Sequence, residues 1–355
     1  MLFFFSLSID LPLSAYRELQ AHQYLCNEQY IVHYKNYYWE MGGTLVLVLE
    51  RMICDLGTLL EHRLHILPEP IIRRILYMVL QGISIMHNHG LFHRDLKPQN
   101  ILINSLGICK IGDLGLTRPY KRKTIAYEGI NSINKHKDST VVPDLSFEYT
   151  NQISSRWYRA PEILYGSKYY GPAIDIWGIG CIAVELYTGK PFIPGTSDIE
   201  QLARTFKIRG TPTPLTWKNI ELLPDYDKIQ FNKADPIPLS TIVPRACNEG
   251  IDLLDKLLTL DPEQRITAKE ALTHPYFTSE KLSMASDEEM VYIIEEIKST
   301  LHTIHTKPIE NQRIGSLITF DPSLASSSHP STSFPSKGNR LIPPSTILEE
   351  SENNL

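Results

Sequence analysis

The chain has 355 residues, 42% of them hydrophobic and 21% charged, the composition of a globular protein long enough for about two folding units. A net charge of −5 gives no electrostatic basis for binding nucleic acid or a membrane surface. Five cysteines without paired spacing argue against a disulfide framework or a zinc site and fit a reducing compartment, and no run of about 18 apolar residues predicts a membrane span. In chain order, the opening "MLFFFSLSIDLPLS" lacks the basic flank and unbroken apolar run of a secretion signal. "TLVLVLE" (44–50), behind Gly42-Gly43, predicts a buried strand. Residues 70–90 carry Ile71, Ile75, Met78, Val79, Ile83 and Met86 at spacings of three and four, one face of a helix. Pro70 marks its start and Gly90 its end. "DIWGIGCIAVELYTG" (175–189) predicts a buried helix stopped at Gly189, and 249–262 another stopped before Pro262. Strands are thus expected before residue 52 and helices after it. Beyond 278 an acidic amphipathic segment (287–304) leads into a Ser/Pro-rich stretch too poor in apolar residues to pack, so the tail is expected to be mostly disordered.

The chemistry concentrates in "LFHRDLKPQNILI" (91–103). Transfer of a terminal phosphoryl group needs a base for the acceptor hydroxyl, cations on the phosphate oxygens and oxygen ligands that fix a metal. Asp95 can be the base, Lys97 can reach the transferring phosphate, and the side-chain carbonyl of Asn100 can bind magnesium. Further on, "KIGDLGLTR" sets Asp113 on a turn between Gly112 and Leu114-Gly115, a carboxylate suited to bridging metal and nucleotide phosphates.

With "SSRWYRAPE" (154–162), "DIWGIG" (175–180) and "DPEQRITAKEALTHPYF" (261–277) following in order, the chain resembles the protein kinases. The resemblance is specifically to the cyclin-dependent branch of the CMGC group, over roughly residues 12–277. Within that branch, "GTPTPLTWKNIELLPDYDKIQF" (210–231) is similar to the cell cycle-related kinase subfamily. This resemblance implies an α+β, bilobal fold. Residues 1–52 would be a truncated N-terminal β-lobe, 53–277 a mainly α-helical C-terminal lobe, and 278–355 the tail. It also implies transfer of the ATP γ-phosphoryl group, with Mg2+, to Ser/Thr of protein substrates, before proline, in the nucleus or cytoplasm.

Further roles come from the same resemblance. "PLSAYRE" (12–18) is similar to the family's Pro-Ser-Thr-Ala-Ile-Arg-Glu helix, so Glu18 matches the helix glutamate and 12–25 the docking surface for a cyclin or cyclin-like activator. Arg17, Arg94 and Arg118 match three arginines that grip a phosphothreonine, matched here by Thr150, the target of an upstream kinase. Glu50, Arg51 and Met52 fall at the adenine-binding hinge, Leu49 at the gatekeeper site and Leu102 beneath the adenine. Arg159 matches the position that goes with proline after the target residue. Glu162 and Arg265 match a buried ion pair, and Asp175 the aspartate that buttresses the catalytic loop.

The chain departs from the family in four places. The glycine loop and the strand lysine are missing: the first glycine is Gly42, and Lys35 is the only lysine before residue 93. Either the chain is a truncated form of an active kinase, which retention of Asp95, Lys97, Asn100 and Asp113 favours, or it is a degenerate kinase acting as a binding module. Leu114 replaces a phenylalanine, and His22 stands where the family has an apolar spine residue. The stretch 121–146 adds an aperiodic, charged insertion, read as solvated.

Overall fold

The computed structural model describes residues 13–40, 44–62, 66–126, 139–143, 147–150 and 153–306, with the backbone alone for Leu13, 122–126, 139–143 and 304–306. Helix α1 (Leu13–Tyr24) precedes strands β1 (Tyr34–Trp39) and β2 (Leu45–Leu49). The strands pair antiparallel, Trp39 opposite Leu45, with a bulge between Tyr34 and Asn36 that leaves Lys35 out of register and exposed. Among the described residues no third strand joins this sheet. All five apolar residues of β2 are therefore half-buried rather than buried, a correction to the sequence expectation. A strand leaves solvent fully only when both faces are covered, and here they are not.

The C-terminal lobe starts with β3 (Cys54–Asp55), α2 (Leu56–His62) and α3 (Glu69–Asn88), then β4 (Leu91–Phe92), β5 (Ile101–Ile103), β6 (Cys109–Ile111) and β7 (Arg118–Pro119). β3, β5 and β6 make one small sheet, and β4 with β7 another. These two ribbons carry both reactive segments: 93–100 lies between β4 and β5, and the Asp113 turn lies between β6 and β7. The periodic residues of α3, Ile71 through Met86, are all buried. Gly82 lets the helix approach the small lobe, since a Cβ there would meet the Tyr30 carbonyl at 2.8 Å.

The insertion is not featureless. β8 (Arg122–Ala126) pairs antiparallel with β9 (Ser139–Pro143), Thr124 opposite Val141. The β-branched residues Thr124, Ile125, Thr140, Val141 and Val142 form the ribbon, a short signal hidden among the charges. Residues 127–138 and 144–146 of the insertion lie outside the described residues.

Helices α4 (Pro161–Leu164), α5 (Ala173–Thr188), α6 (Asp198–Arg209), α7 (Leu239–Ile242), α8 (Asn248–Leu257), α9 (Ala268–Leu272) and α10 (Pro275–Thr278) complete the lobe. α5 is buried almost all round and ends on Gly189 at φ 74°, as expected. α8 stops earlier than its pattern suggested. The residue before Pro262 avoids helical backbone, and the Asp261 carboxylate instead accepts the N–H groups of Lys218 (3.3 Å) and Glu263 (3.0 Å).

The lobe does not end at 277. Helix α11 (Asp287–Thr306), the acidic amphipathic segment, packs onto it with Met290, Ile294 and Ile297 buried. Arg74 meets Asp287 at 2.7 Å, the Arg73 guanidinium donates to the Ser283 carbonyl, and Ala285 N donates to Pro70 O at 3.1 Å. The remaining tail, 307–355, lies outside the described residues. Among the described residues no helix is long and apolar enough to cross a membrane.

Candidate active site

The reactive loop is built on one buried carboxylate. Asp175, in the first turn of α5, accepts His93 N (2.8 Å), Arg94 N (2.9 Å) and His87 Nε2 (2.8 Å). Burial pushes its carboxyl up, and the hydrogen bond from His87 and those from the loop more than offset this, leaving it below the ordinary value. Arg94 sits at φ 75°, a conformation non-glycine residues avoid, and the two backbone bonds to Asp175 hold it there. His93 bridges to the Asp113 turn: its Nε2 lies 2.9 Å from Gly112 O, and its Nδ1 accepts Asp95 N at 3.2 Å. That pattern fits a neutral ring protonated on Nε2.

Asp95, Lys97 and Asn100 converge as expected. Asp95 Oδ2 accepts Lys97 Nζ at 2.7 Å and Asn100 Nδ2 at 3.2 Å, while Oδ1 accepts Ser155 N at 2.9 Å. Asn100 Nδ2 also donates to Asp95 O at 2.8 Å, which turns the amide oxygen the other way. Gly112 N donates to Asn100 O at 2.9 Å, so Asp113 stands one residue from the reactive loop. Asp113 is exposed, at φ 54°. Leu114 is fully buried, so an apolar residue other than phenylalanine keeps the packing. Leu102 lines the same region, its Cδ1 3.1 Å and Val32 Cγ2 3.4 Å from where a Cβ on Gly112 would sit.

Two residues of α1 face this cleft. A Cβ on Gly115 would lie 3.5 Å from Asp113 Oδ1 and 3.8 Å from Glu18 Oε2, so the two carboxylates flank one glycine. Burial, then the Asp113 charge, push the Glu18 carboxyl up to about 7. Among the described residues Glu18 has no cationic partner, and Lys35 does not supply one. His22 is buried with neither ring nitrogen completing a hydrogen bond. Burial pulls it down to about 4, against the Val32 carbonyl and Asp113, with His93 adding to the fall.

Of the three arginines expected around Thr150, Arg94 touches it. Arg94 Nη2 donates to Thr150 Oγ1 (2.9 Å) and Thr150 O (3.2 Å). Burial, then Arg17 and Arg94, lower the Arg118 pKa, which places the three guanidiniums in one field. Thr150 is exposed. Arg159 Nε takes Ile153 O at 2.8 Å and its Nη2 takes Ser154 O at 3.0 Å, with Ser154 at φ 64°. Arg265 Nη1 and Nη2 grip both oxygens of Glu162 at 2.8 and 3.1 Å, fully buried. At the hinge, the Glu50 side chain is tied to Lys110 Nζ (2.5 Å) and His33 N (2.7 Å), and Glu50 N donates to His33 O. Met52 is half-buried beside Arg51. Sequence reasoning missed His93 and Ser155 as contacts of Asp95, and Tyr170, whose hydroxyl lies 2.8 Å from Arg94 Nη2.

The protein kinase domain family matches residues 9–277. The chain belongs to the protein kinases. Its relatives place it among the cyclin-dependent serine/threonine kinases. It is 40% identical to cyclin-dependent kinase 20 of Homo sapiens over 266 residues, which is 75% of this chain and 70% of that one. It is 40% identical to that of Pongo abelii over 267 residues (75% and 71%) and 39% identical to that of Danio rerio over 272 (77% and 73%).

Protein kinases use ATP and magnesium. Among the described residues no cluster of three or more His, Cys, Asp or Glu could hold a metal alone. The kinase instead offers the Asn100 amide oxygen and the Asp113 carboxylate. Two hard oxygen donors suit magnesium, which completes its shell with water and phosphate oxygens.

Proposed function

We propose that this kinase transfers the γ-phosphoryl group of ATP to Ser/Thr hydroxyls of proteins that are followed by proline. The observation that carries this reading is the convergence of Asp95, Lys97 and Asn100 around one carboxylate, one residue from the Asp113 turn. Asp95 accepts the hydroxyl proton, aimed by Ser155 N and Asn100 Nδ2. Lys97 Nζ, paired with Asp95 at 2.7 Å, would move onto the transferring phosphate. Asn100 and Asp113 would hold the metal, which would neutralise phosphate charge when bound. Leu102 forms the adenine floor, and the backbone of Glu50 and Met52 meets the ring edge.

The proline preference has a physical basis in the Ser154 turn. Arg159 claims the Ile153 and Ser154 carbonyls, so these acceptors are lost to a substrate backbone N–H. Proline is the residue that has no N–H to satisfy. A phosphate on Thr150 completes the field of Arg17, Arg94 and Arg118. Helix α1, with Tyr16 and Tyr24 exposed, offers the surface for a cyclin-like activator.

The second reading is a binding module impaired in catalysis, favoured by Glu18 standing without a cation among the described residues. Loss of a preorganised charge costs roughly a hundredfold in rate, so slow transfer is the expected behaviour of this chain. Incubation of the purified chain with Mg·ATP and a Ser-Pro peptide decides between them. Phosphopeptide formation supports the enzyme. No product, together with no Mg·ATP-induced thermal shift, supports the module.

A further inference from the structure

The Arg94 guanidinium is enclosed before any phosphate arrives. Its centre lies 5.8, 5.7 and 5.8 Å from the ring centroids of Phe92, Tyr149 and Tyr170, and the residue is 3% exposed. Nη1 donates to Leu116 O at 3.3 Å, while Nη2 donates to Thr150 and to the Tyr170 hydroxyl. The same hydroxyl donates to the Thr150 carbonyl. One oxygen of Tyr170 thus accepts from the arginine and holds the backbone of the residue that the arginine serves. Tyr170 is itself buried, five residues before Asp175, which fixes the backbone of Arg94. Segment 170–175 therefore holds Arg94 at both ends, by its N–H and by its guanidinium.

We propose that Tyr170 is a positioning residue for a phosphate on Thr150. Its hydroxyl fixes both the Arg94 fork and the Thr150 backbone in advance, so the phosphate docks without ordering either group. This rests on the Thr150 reading above, and it assigns to a phenol a share of the phosphate grip that the three arginines alone would not have.

The test uses the full chain carrying phosphothreonine at 150. A protein phosphatase removes the phosphate from wild type, Tyr170→Phe, Arg94→Lys and the double variant, and thermal unfolding is followed with and without the phosphate. Phenylalanine keeps the aromatic packing and loses the two hydrogen bonds of the hydroxyl, so the unphosphorylated protein should melt a few degrees below wild type and each variant is compared with its own unphosphorylated form. Phosphate loss should be about tenfold faster in Tyr170→Phe, the effect of one hydrogen bond to a charged group. The rise in melting temperature on phosphorylation should shrink in step. Because both changes cut one shared bond, the double variant should lose less than the sum of the singles. Arg94→Lys, which retains the ring, gives the same comparison if Tyr170→Phe folds poorly. Equal protection in wild type and Tyr170→Phe, or strictly additive losses, overturns the role of Tyr170. A wild-type chain that gains no stability from the phosphate and releases it without protection overturns the Thr150 reading and this one with it.

Discussion

Glu18 and His22 are the two residues where the cleft is electrostatically unfinished. In the unfolded chain Glu18 ionises near 4.5, and in the folded kinase near 7, so the folded state holds the extra proton between those values. Stability should therefore fall as pH rises through that window. Glu18→Gln should raise the melting temperature by a few degrees at pH 8, equivalent to about 1–2 kcal/mol after allowing for partial exposure, and change little at pH 5. A pH-independent effect would refute the assigned cause. His22 works with the opposite sign. Its folded value near 4 lies below the unfolded one, so the neutral ring is tolerated at pH 7 and stability is lost as pH falls from about 6.5 toward 4. His22→Leu removes two unpartnered buried nitrogens and should add about 1–2 kcal/mol in urea unfolding, with a larger gain at pH 5. At this scale the grouping of Asp95, Lys97, Asn100 and Asp113 was legible in the sequence, since they sit within two short motifs. Tyr170 and Ser155 were not. Tyr170 meets Arg94 across 76 positions of chain, and Ser155 meets Asp95 across 60 through a single backbone N–H, which leaves no local pattern.

At the scale of elements, periodicity located α3 and α5 to within a few residues, because a continuous apolar face or a wholly apolar run admits one placement. It failed where burial depends on a partner elsewhere. The apolar run of β2 reads as buried, yet its covering layer is a tertiary property. The β8–β9 ribbon is only five residues per strand, too short to stand out from the charges around it. α11 shows the reverse case: its amphipathic pattern was visible, and its docking site was not. Its anchor is Met290 against Gly107, a turn residue at φ 74° where a Cβ would approach Met290 Cβ to 2.6 Å. Met290→Ala should destabilise by about 2–4 kcal/mol in chemical denaturation. Gly107→Ala combines a forced left-handed alanine with that clash and should cost about 1–3 kcal/mol. Unchanged denaturation midpoints in both would mean that α11 contributes little to the lobe.

For the whole molecule, the family and the bilobal fold followed from motifs in the C-terminal lobe, which holds both reactive segments between short ribbons. The small lobe contributes a helix and two strands among the described residues, so nucleotide is expected to bind mainly through the lower face of the cleft. If the chain binds it, saturating Mg·ATP at about a hundredfold over its dissociation constant should add about 2.7 kcal/mol to the folded state, visible as a rise of several degrees in melting temperature. Asp113→Asn should abolish most of that shift, and an equal shift in both proteins would remove Asp113 from the metal site. The central claim meets its most direct test in transfer of labelled γ-phosphate from ATP to a Ser-Pro peptide, by the Thr150-phosphorylated chain beside its Asp95→Asn variant at equal folded concentration. A slow wild-type rate that drops at least about a hundredfold in Asp95→Asn is the predicted result. Equal rates in the two proteins, or no transfer by either, would contradict it.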